Sequence, residues 1–354
     1  MNKKGGLFAG VIVGIMMLIG GTILLWWNEG NNVRNLKATA ELEQKYTDVS
    51  SETVDPANDG KLVAMGGDLT VVDERVGDAV FSVAAKTALL KRTVEMYQWE
   101  EHEEGDGDST TYSYEMVWKE ELIDSTPFHN RGHENPTSMP YDSAVFGARD
   151  VLLGAYRLSA EQIENLPAEK AIDDPTANMP NYTPSGRYLA SGDLSSPKIG
   201  DIRISWSYND WSEATVLAQI SGESFVTYTA ENGKTYNRVE EGLHTGAEMI
   251  QMIRDDDNML KWILRAVGAV AILIGYLSLI SPLTKVLSFI PIFGGLVSGA
   301  LFLVELLASI VHSLVVIAIA WVVYRPVIGI SLLAAALVLI ILQIVISKKK
   351  KANA

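Results

Sequence analysis

His129-Asn-Arg-Gly-His133-Glu134 places two imidazoles and a carboxylate within six residues. Metal binding would need all three to converge, usually with a further donor. Gly132 and Pro136 instead mark a loop, and no additional ligand stands at the spacing of a zinc enzyme. We therefore expect a hydrogen-bonded structural loop and no metal. Asp106-Gly-Asp108-Ser-Thr110 is spaced like the start of a calcium loop, but its twelfth position, which needs a bidentate Glu, is Val117. A solvated turn is the expectation there.

A second set is aromatic and acidic. Glu95, Tyr97 and Trp99 alternate along one extended run, and Tyr112, Tyr114 and Trp118 along the next. Residues two apart share a face of a strand, so one side of a sheet would carry an aromatic row. We read that row as core or as an interface against another layer, with a ligand groove as the alternative. The binding candidates are thus Tyr97, Trp99, Tyr112, Trp118, His129, His133 and Glu134. No side chain is assigned a catalytic role.

The remaining unusual side chains lie in apolar surroundings. Arg265, Glu305 and His312 interrupt hydrophobic runs; Glu305 and His312 are seven apart and share a helix face. An ionisable group at membrane depth is costly enough to imply a partner, Lys285 being a candidate for Glu305, and we favour packing or an interfacial role over ion transport. Gly6, Gly10 and Gly14 recur every four residues, and Gly295 with Gly299 repeats the spacing. Such stripes let helix backbones approach closely in a membrane.

These side chains must be held by elements of two kinds. An uncharged run from Leu7 to Trp27 and a nearly continuous apolar stretch from Trp262 to Ile346 flank a polar middle. A bilayer core of ~30 Å takes about 20 helical residues, so both ends read as membrane-embedded. The first run is longer than a signal-peptide core, which favours a retained anchor over cleavage near Ala38-Thr39-Ala40. At the other end, Trp262 to Ile280 and Val327 to Ile346 are span length. Ile292 to Val323 would reach about 48 Å as one helix, and overshoots. Pro282, Pro291 and Gly294-Gly295 suggest a re-entrant or interfacial piece over 283–300, then a span from Leu301 to Val323. Four spans put both termini on one side, and Lys3, Lys4, Lys285 and Lys348 to Lys351 make that side cytoplasmic; Arg325 is the exception. The large domain is expected to be periplasmic or extracellular, or lumenal in a eukaryote.

Of 43 acidic residues, 42 lie between residues 28 and 261, with 20 of the 29 basic ones, so this segment carries a formal charge of −22. That charge repels nucleic acid, which is set aside as a partner. The chain has no cysteine and hence neither disulfides nor thiolate chemistry. Strands are expected at Leu62 to Val72, Ala88 to Trp99, Tyr112 to Ile123, Ile202 to Tyr208, Thr215 to Ile220 and Ser224 to Tyr228, the second and third forming a long hairpin. Leu152, Leu153, Tyr156, Ile163 and Leu166 suggest helical faces around a Ser159–Gln162 capping box. Asp173 to Gly186, with three prolines, reads as a loop. Leu243, Ala247, Ile250 and Ile253 begin a helix from about Glu240.

Local strings carry a resemblance. Arg92-Thr-Val-Glu-Met-Tyr-Gln-Trp-Glu100, Tyr112-Ser-Tyr, Trp118 with Gly132-His-Glu-Asn-Pro136, Ile199-Gly-Asp-Ile-Arg-Ile-Ser-Trp-Ser-Tyr208 and Tyr324-Arg-Pro326 stand in the order of the transmembrane protein 43 family, also called LUMA. With the same layout of spans, the chain resembles that family and looks like a prokaryotic member. The resemblance implies a membrane scaffold that associates with itself and with other membrane proteins; it carries over no catalytic residue and no cofactor.

The expected architecture is an α-helical membrane protein with a large extramembrane α+β, β-rich domain. Residues 1–28 form the N-terminal transmembrane helix, 29–261 the acidic non-cytoplasmic domain, 262–347 a C-terminal membrane domain of three hydrophobic segments, and 348–354 a basic cytoplasmic tail. The expected function is a multipass scaffold organising a membrane protein or lipid assembly. Its partners would be the bilayer, copies of itself and other membrane proteins. The alternative is a membrane-tethered enzyme or lipid-processing protein with its site near His129 to Glu134.

Overall fold

A computed structural model of the chain describes residues 3–73, 75–105, 110–175, 177, 179–287, 294–331 and 334. The chain divides into two compact units, Met1–Gln44 with Ala230–Lys234 and Ile250–Ala354, and Lys45–Thr229 with Thr235–Met249. The α-helices bounded within the described residues are α1 (Lys3–Lys45), the short α2 (Ala160–Glu164), α3 (Gly246–Leu287) and α4 (Gly294–Tyr324).

In the first unit, α1, α3 and α4 are each long and apolar enough to cross a membrane. α1 and α3 run antiparallel and touch through glycine. A Cβ on Gly21 would lie 2.8 Å from the Gly268 carbonyl oxygen, and one on Gly14 would lie 2.9 Å from that of Gly275. Both helices continue well past their apolar runs, and there the seam turns polar, with Asn28, Asn31, Asn32, Asn35 and Thr39 buried. α3 runs through Pro282 to Leu287 and α4 already begins at Gly294, so residues 283–287 and 294–300 belong to the two long helices. This replaces the separate short piece expected over 283–300; residues 288–293 lie outside the described residues. Lys285, the suggested partner of Glu305, lies outside the residues whose side chains are described. Helix resumes at 326–331 after Arg325, and most of the expected last span and the basic tail lie outside the described residues.

The second unit is β-rich. Leu62–Val71 pairs with Glu213–Ser221 over its first part and with Val151–Leu153 over its last. Val151–Leu153 continues through Tyr156–Arg157 and Ser224–Val226 back to Glu213–Ser221, so five strands close a ring. Closure leaves those strands without free edges. The second sheet runs Thr183–Ser185, Tyr188–Ala190, Ile202–Tyr208, Leu89–Glu104, Thr111–Lys119 in order. Both contribute to one core, with Met65, Leu153, Tyr156, Val216 and Phe225 from the ring and Leu90, Val94, Met96, Leu189, Ile204 and Trp206 from the second sheet. The ends of this unit are stitched together. Thr47–Asp48 lies parallel to Val63–Ala64, and the Gly246 N–H donates to Asp48 Oδ1 at 2.9 Å, with the Tyr46 ring filling the space a Gly246 side chain would need.

Three local expectations are corrected. Residues 151–157 form a tight strand pair rather than a helix, because Gly154 turns the chain with φ +58°. Only Ala160–Glu164 is helical, capped reciprocally by Ser159 and Gln162. Thr183–Ser185 is a strand inside the expected loop. It sits at the sheet edge, where Pro184 is tolerated. Arg238–Glu241 is also a strand, ended by Gly242 at φ +81°, so α3 starts only at Gly246.

Candidate functional site

The alternation of Leu89–Glu104 decides which side chains can act. Leu90, Arg92, Val94, Met96 and Gln98 face the core, which turns Glu95, Tyr97, Trp99 and Glu101 to the other side. Register completes that outward face: Tyr97 lies opposite Trp118, Trp99 opposite Met116, Glu101 opposite Tyr114, and Arg203 opposite Glu95. The Tyr97 and Trp118 rings are 5.1 Å apart. Arg203 grips Glu95 through two bonds of 2.7 and 2.8 Å while its guanidinium lies 4.6 Å from the Trp118 ring and 5.0 Å from Tyr188. The alternation of Ile202, Ile204 and Trp206 as core residues was the sequence signal that could have found Arg203.

The row continues under the loop that carries the histidines. His129 stacks on Tyr112 with centroids 4.0 Å apart, and His133 stacks on Tyr114 at 3.7 Å with Trp99 edge-on at 4.6 Å. Asn135 fixes the loop to the strand: it accepts from Trp99 N–H at 2.7 Å and donates to the Trp99 carbonyl at 2.8 Å. Glu101 accepts from the Tyr114 hydroxyl and from the His129 N–H at 2.6 Å. Desolvation alone would raise the Glu101 carboxyl, but these bonds and the neighbouring imidazoles hold it below its ordinary range. Tyr114 is pushed up, first by desolvation and then by its bond to Glu101. Glu134 turns back on its own loop, accepting from the Gly132 N–H at 3.0 Å, and this bond lowers its carboxyl. The two histidines therefore use their faces for packing beside the aromatic row, and Glu134 does not join them.

This geometry predicts a local effect. A carboxyl lowered in the folded state contributes stability above its unfolded pKa and loses it as pH falls through the folded value. Glu101→Gln and Tyr114→Phe should each speed hydrogen exchange at the His129 and Asn130 amides by roughly fivefold at neutral pH, leaving the strands protected. The gap between wild type and Glu101→Gln should close on acidification below the ordinary carboxylate range. Exchange followed by mass spectrometry, corrected for intrinsic rates, reads both.

On the opposite side of the same hairpin, Glu100, His102 and Glu115 bring three ligand atoms within 4.8 Å of one another. The carboxylates are already engaged, Glu115 with His102 at 2.8 Å and Glu100 with Lys119 at 3.0 Å. Behind the outward row, the core holds Arg92 on Asp78 at 2.7 Å, with the Trp206 indole donating to the same Asp78 oxygen at 3.1 Å. Arg92 also donates to the Asp142 carbonyl at 3.0 and 2.8 Å.

In the helical unit the polar residues meet in two layers. Arg265 pairs with Glu29 at 2.7 Å, and the other Glu29 oxygen accepts from the Trp321 indole at 2.8 Å, so α1, α3 and α4 share one node. His312 lies 3.1 Å from the Thr22 hydroxyl and 3.2 Å from that of Tyr276, again one residue per helix. Glu29, Thr22 and Tyr276 escaped the sequence reading; Glu29 directly after the Trp26-Trp27-Asn28 boundary was the available signal. Glu305 is buried. Of the glycine stripe, Gly14 packs against α3, whereas nothing lies within 4 Å of a side chain built on Gly10 or Gly299. Gly6 and Gly295 lie outside the residues whose packing is described.

The family described as Transmembrane protein 43 matches residues 96–326. Transmembrane protein 43 of Mus musculus is 29% identical over 348 residues, covering 92% of this chain and 86% of the relative. The Transmembrane protein 43 homolog of Drosophila melanogaster is 29% identical over 346 residues, covering 92% and 91%. For Transmembrane protein 43 of Homo sapiens the values are 28% over 360 residues, 95% and 89%. No solved structure matches.

Proposed function

Because the chain belongs to the transmembrane protein 43 family, we propose that it is a multipass scaffold whose β-rich domain binds copies of itself and other membrane proteins, and so organises a membrane assembly. One observation supports this reading above others: the outward row of Tyr97, Trp118, Arg203 and Tyr188 is half-buried and already held by a tilted ring contact, cation–π contacts and a two-pronged ion pair. Aromatic and arginine side chains held rigid before contact are the composition of interface hot spots, and they lose little entropy on binding. In this reading the termini are cytoplasmic and the acidic domain lies across the membrane from them, following the lysine distribution.

The test is a photo-crosslinking residue at Met116, which lies on the same face and is 47% exposed. In native membranes it should form adducts with the same chain or with a membrane protein, identified by mass. Uncrosslinked monomer alone would overturn the proposal. Protease added to sealed vesicles of known orientation checks the topology: sites near residue 180 should be cut only from the non-cytoplasmic face.

The second reading, a membrane-tethered enzyme or lipid-processing protein acting at His129 to Glu134, draws on the buried His133 Nδ1, which has no hydrogen-bond partner among the described residues. Substituting His129, His133 and Glu134 should leave assembly intact under the scaffold reading. Loss of an assayable activity with normal assembly would favour the second.

A further inference from the structure

Where the apolar runs of α1 and α3 give way to their polar extensions, and where α4 ends, a cavity of about 300 Å³ is lined by Asn35, Asp255, Asp257, Lys261 and Arg325, among others. That volume is at the lower end for small-ligand sites. Two of the lining residues each hold a buried polar atom without a hydrogen-bond partner among the described residues, Asn35 Oδ1 and Arg325 Nη2. Asn35 is 6% exposed, and its amide nitrogen is already committed to Asp257 Oδ1 at 2.5 Å, which assigns the unpartnered atom as an acceptor. Arg254, which also lines the cavity, is engaged by Glu43 at 2.8 Å through both terminal nitrogens. Among the described residues, the Lys261 ammonium donates to a neutral group, the Asn258 amide oxygen.

The cavity therefore asks for two things at once. Arg325 and Lys261 supply donors and positive charge for an anion; Asn35 Oδ1 and Asp255 supply acceptors for a donor. Burying an unpaired polar group is costly, so a ligand that satisfies both gains at each end. The level in the bundle is that of a bilayer headgroup: Lys261 precedes Trp262, and Arg325 follows Trp321 and Tyr324. We propose that this cavity binds an aminophospholipid headgroup, its phosphate on Arg325 and Lys261 and its ammonium on Asn35 and Asp255.

Phosphatidylethanolamine is the probe, and phosphatidylcholine, whose methylated ammonium has no N–H, is the control. Full-length protein is delipidated in detergent, each lipid is added, and retention is read by native mass spectrometry. Wild type should retain phosphatidylethanolamine about tenfold better than phosphatidylcholine, the value of one good charge-assisted contact. Asp255→Asn should bring the two lipids towards parity, whereas Arg325→Gln and Lys261→Gln should each lower retention of both lipids severalfold, all three variants melting at the lipid-free temperature of wild type. Soluble glycerophosphoethanolamine should compete, which locates recognition in the headgroup and not in the acyl chains. Equal retention of both lipids by wild type, or undiminished retention of both lipids in Arg325→Gln and Lys261→Gln, would overturn the site. Retention of phosphatidylglycerol equal to that of phosphatidylethanolamine would overturn the part given to the ammonium.

Discussion

Asp78→Ala should destabilise the β-rich unit by about 3–5 kcal/mol, the cost of leaving one member of a buried ion pair without its partner. Asp78 is 1% exposed and serves three donors: Arg92 Nη1 at 2.7 Å, the Trp206 indole at 3.1 Å and the Val80 N–H at 3.1 Å. Without the carboxylate, the Arg92 guanidinium keeps its bonds to the Asp142 carbonyl and its places beside Phe81 and Phe146, 5.1 and 5.7 Å from the ring centres, but loses its counter-charge. For a unit of this size the loss corresponds to roughly 10 °C in melting temperature. The check is thermal unfolding of the purified full chain. Replacing Asp78 and Arg92 together by leucine should recover much of the loss, because two apolar residues remove both charges. A single variant that melts like wild type would show the node to be dispensable.

Glu29→Leu should have an effect of similar size, about 3–5 kcal/mol, in the helical unit. It strands Arg265, whose side chain is 14% exposed, inside a bundle whose outer faces are apolar, and it frees the Trp321 indole N–H as well. Arg265→Leu alone strands Glu29 in turn, and the double variant should be less damaged than the sum of the singles. A double-mutant cycle on unfolding in mixed detergent measures that coupling. Strict additivity would mean the two charges do not sense one another. Arg265→Lys tests geometry separately. A lysine keeps the charge but loses the planar guanidinium that lies 4.7 Å from the Trp262 ring, so it should rescue only in part.

The hairpin and its aromatic row were legible because alternation is a local property. Tyr97, Trp99, Tyr112 and Trp118 lie on one face simply because each strand flips its side chains every residue. Alternation with Ile202, Ile204 and Trp206 could turn Arg203 outward, but its place in the row, like that of Tyr188, depends on which strand pairs with which. That follows from Ile202–Tyr208 aligning with Leu90–Met96, a long-range choice made by the shared core. The strand pair at 151–157 was missed because Leu152, Leu153 and Tyr156 fit a helical face as well as a turn at Gly154. The ends of the hydrophobic runs could be seen, but not the depth of the helices. α1 and α3 extend past those ends because a buried asparagine and threonine seam replaces apolar packing there, and a hydropathy count scores such residues only as polar. His312 was recognised as costly in lipid; that Thr22 and Tyr276 complete its layer required three helices to be in register.

The bond from Gly246 to Asp48 makes the β-rich unit a module with adjoining entry and exit. A segment that begins and ends at one point behaves as an insertion in a helical hairpin, so a graft must match that junction and do without the Ala230–Lys234 segment that groups with the helices. Trading residues 47–245 for an unrelated domain with neighbouring termini would leave α1 and α3 free to pair through Gly14, Gly21, Gly268 and Gly275, and the anchor could evolve on its own schedule, separately from its cargo.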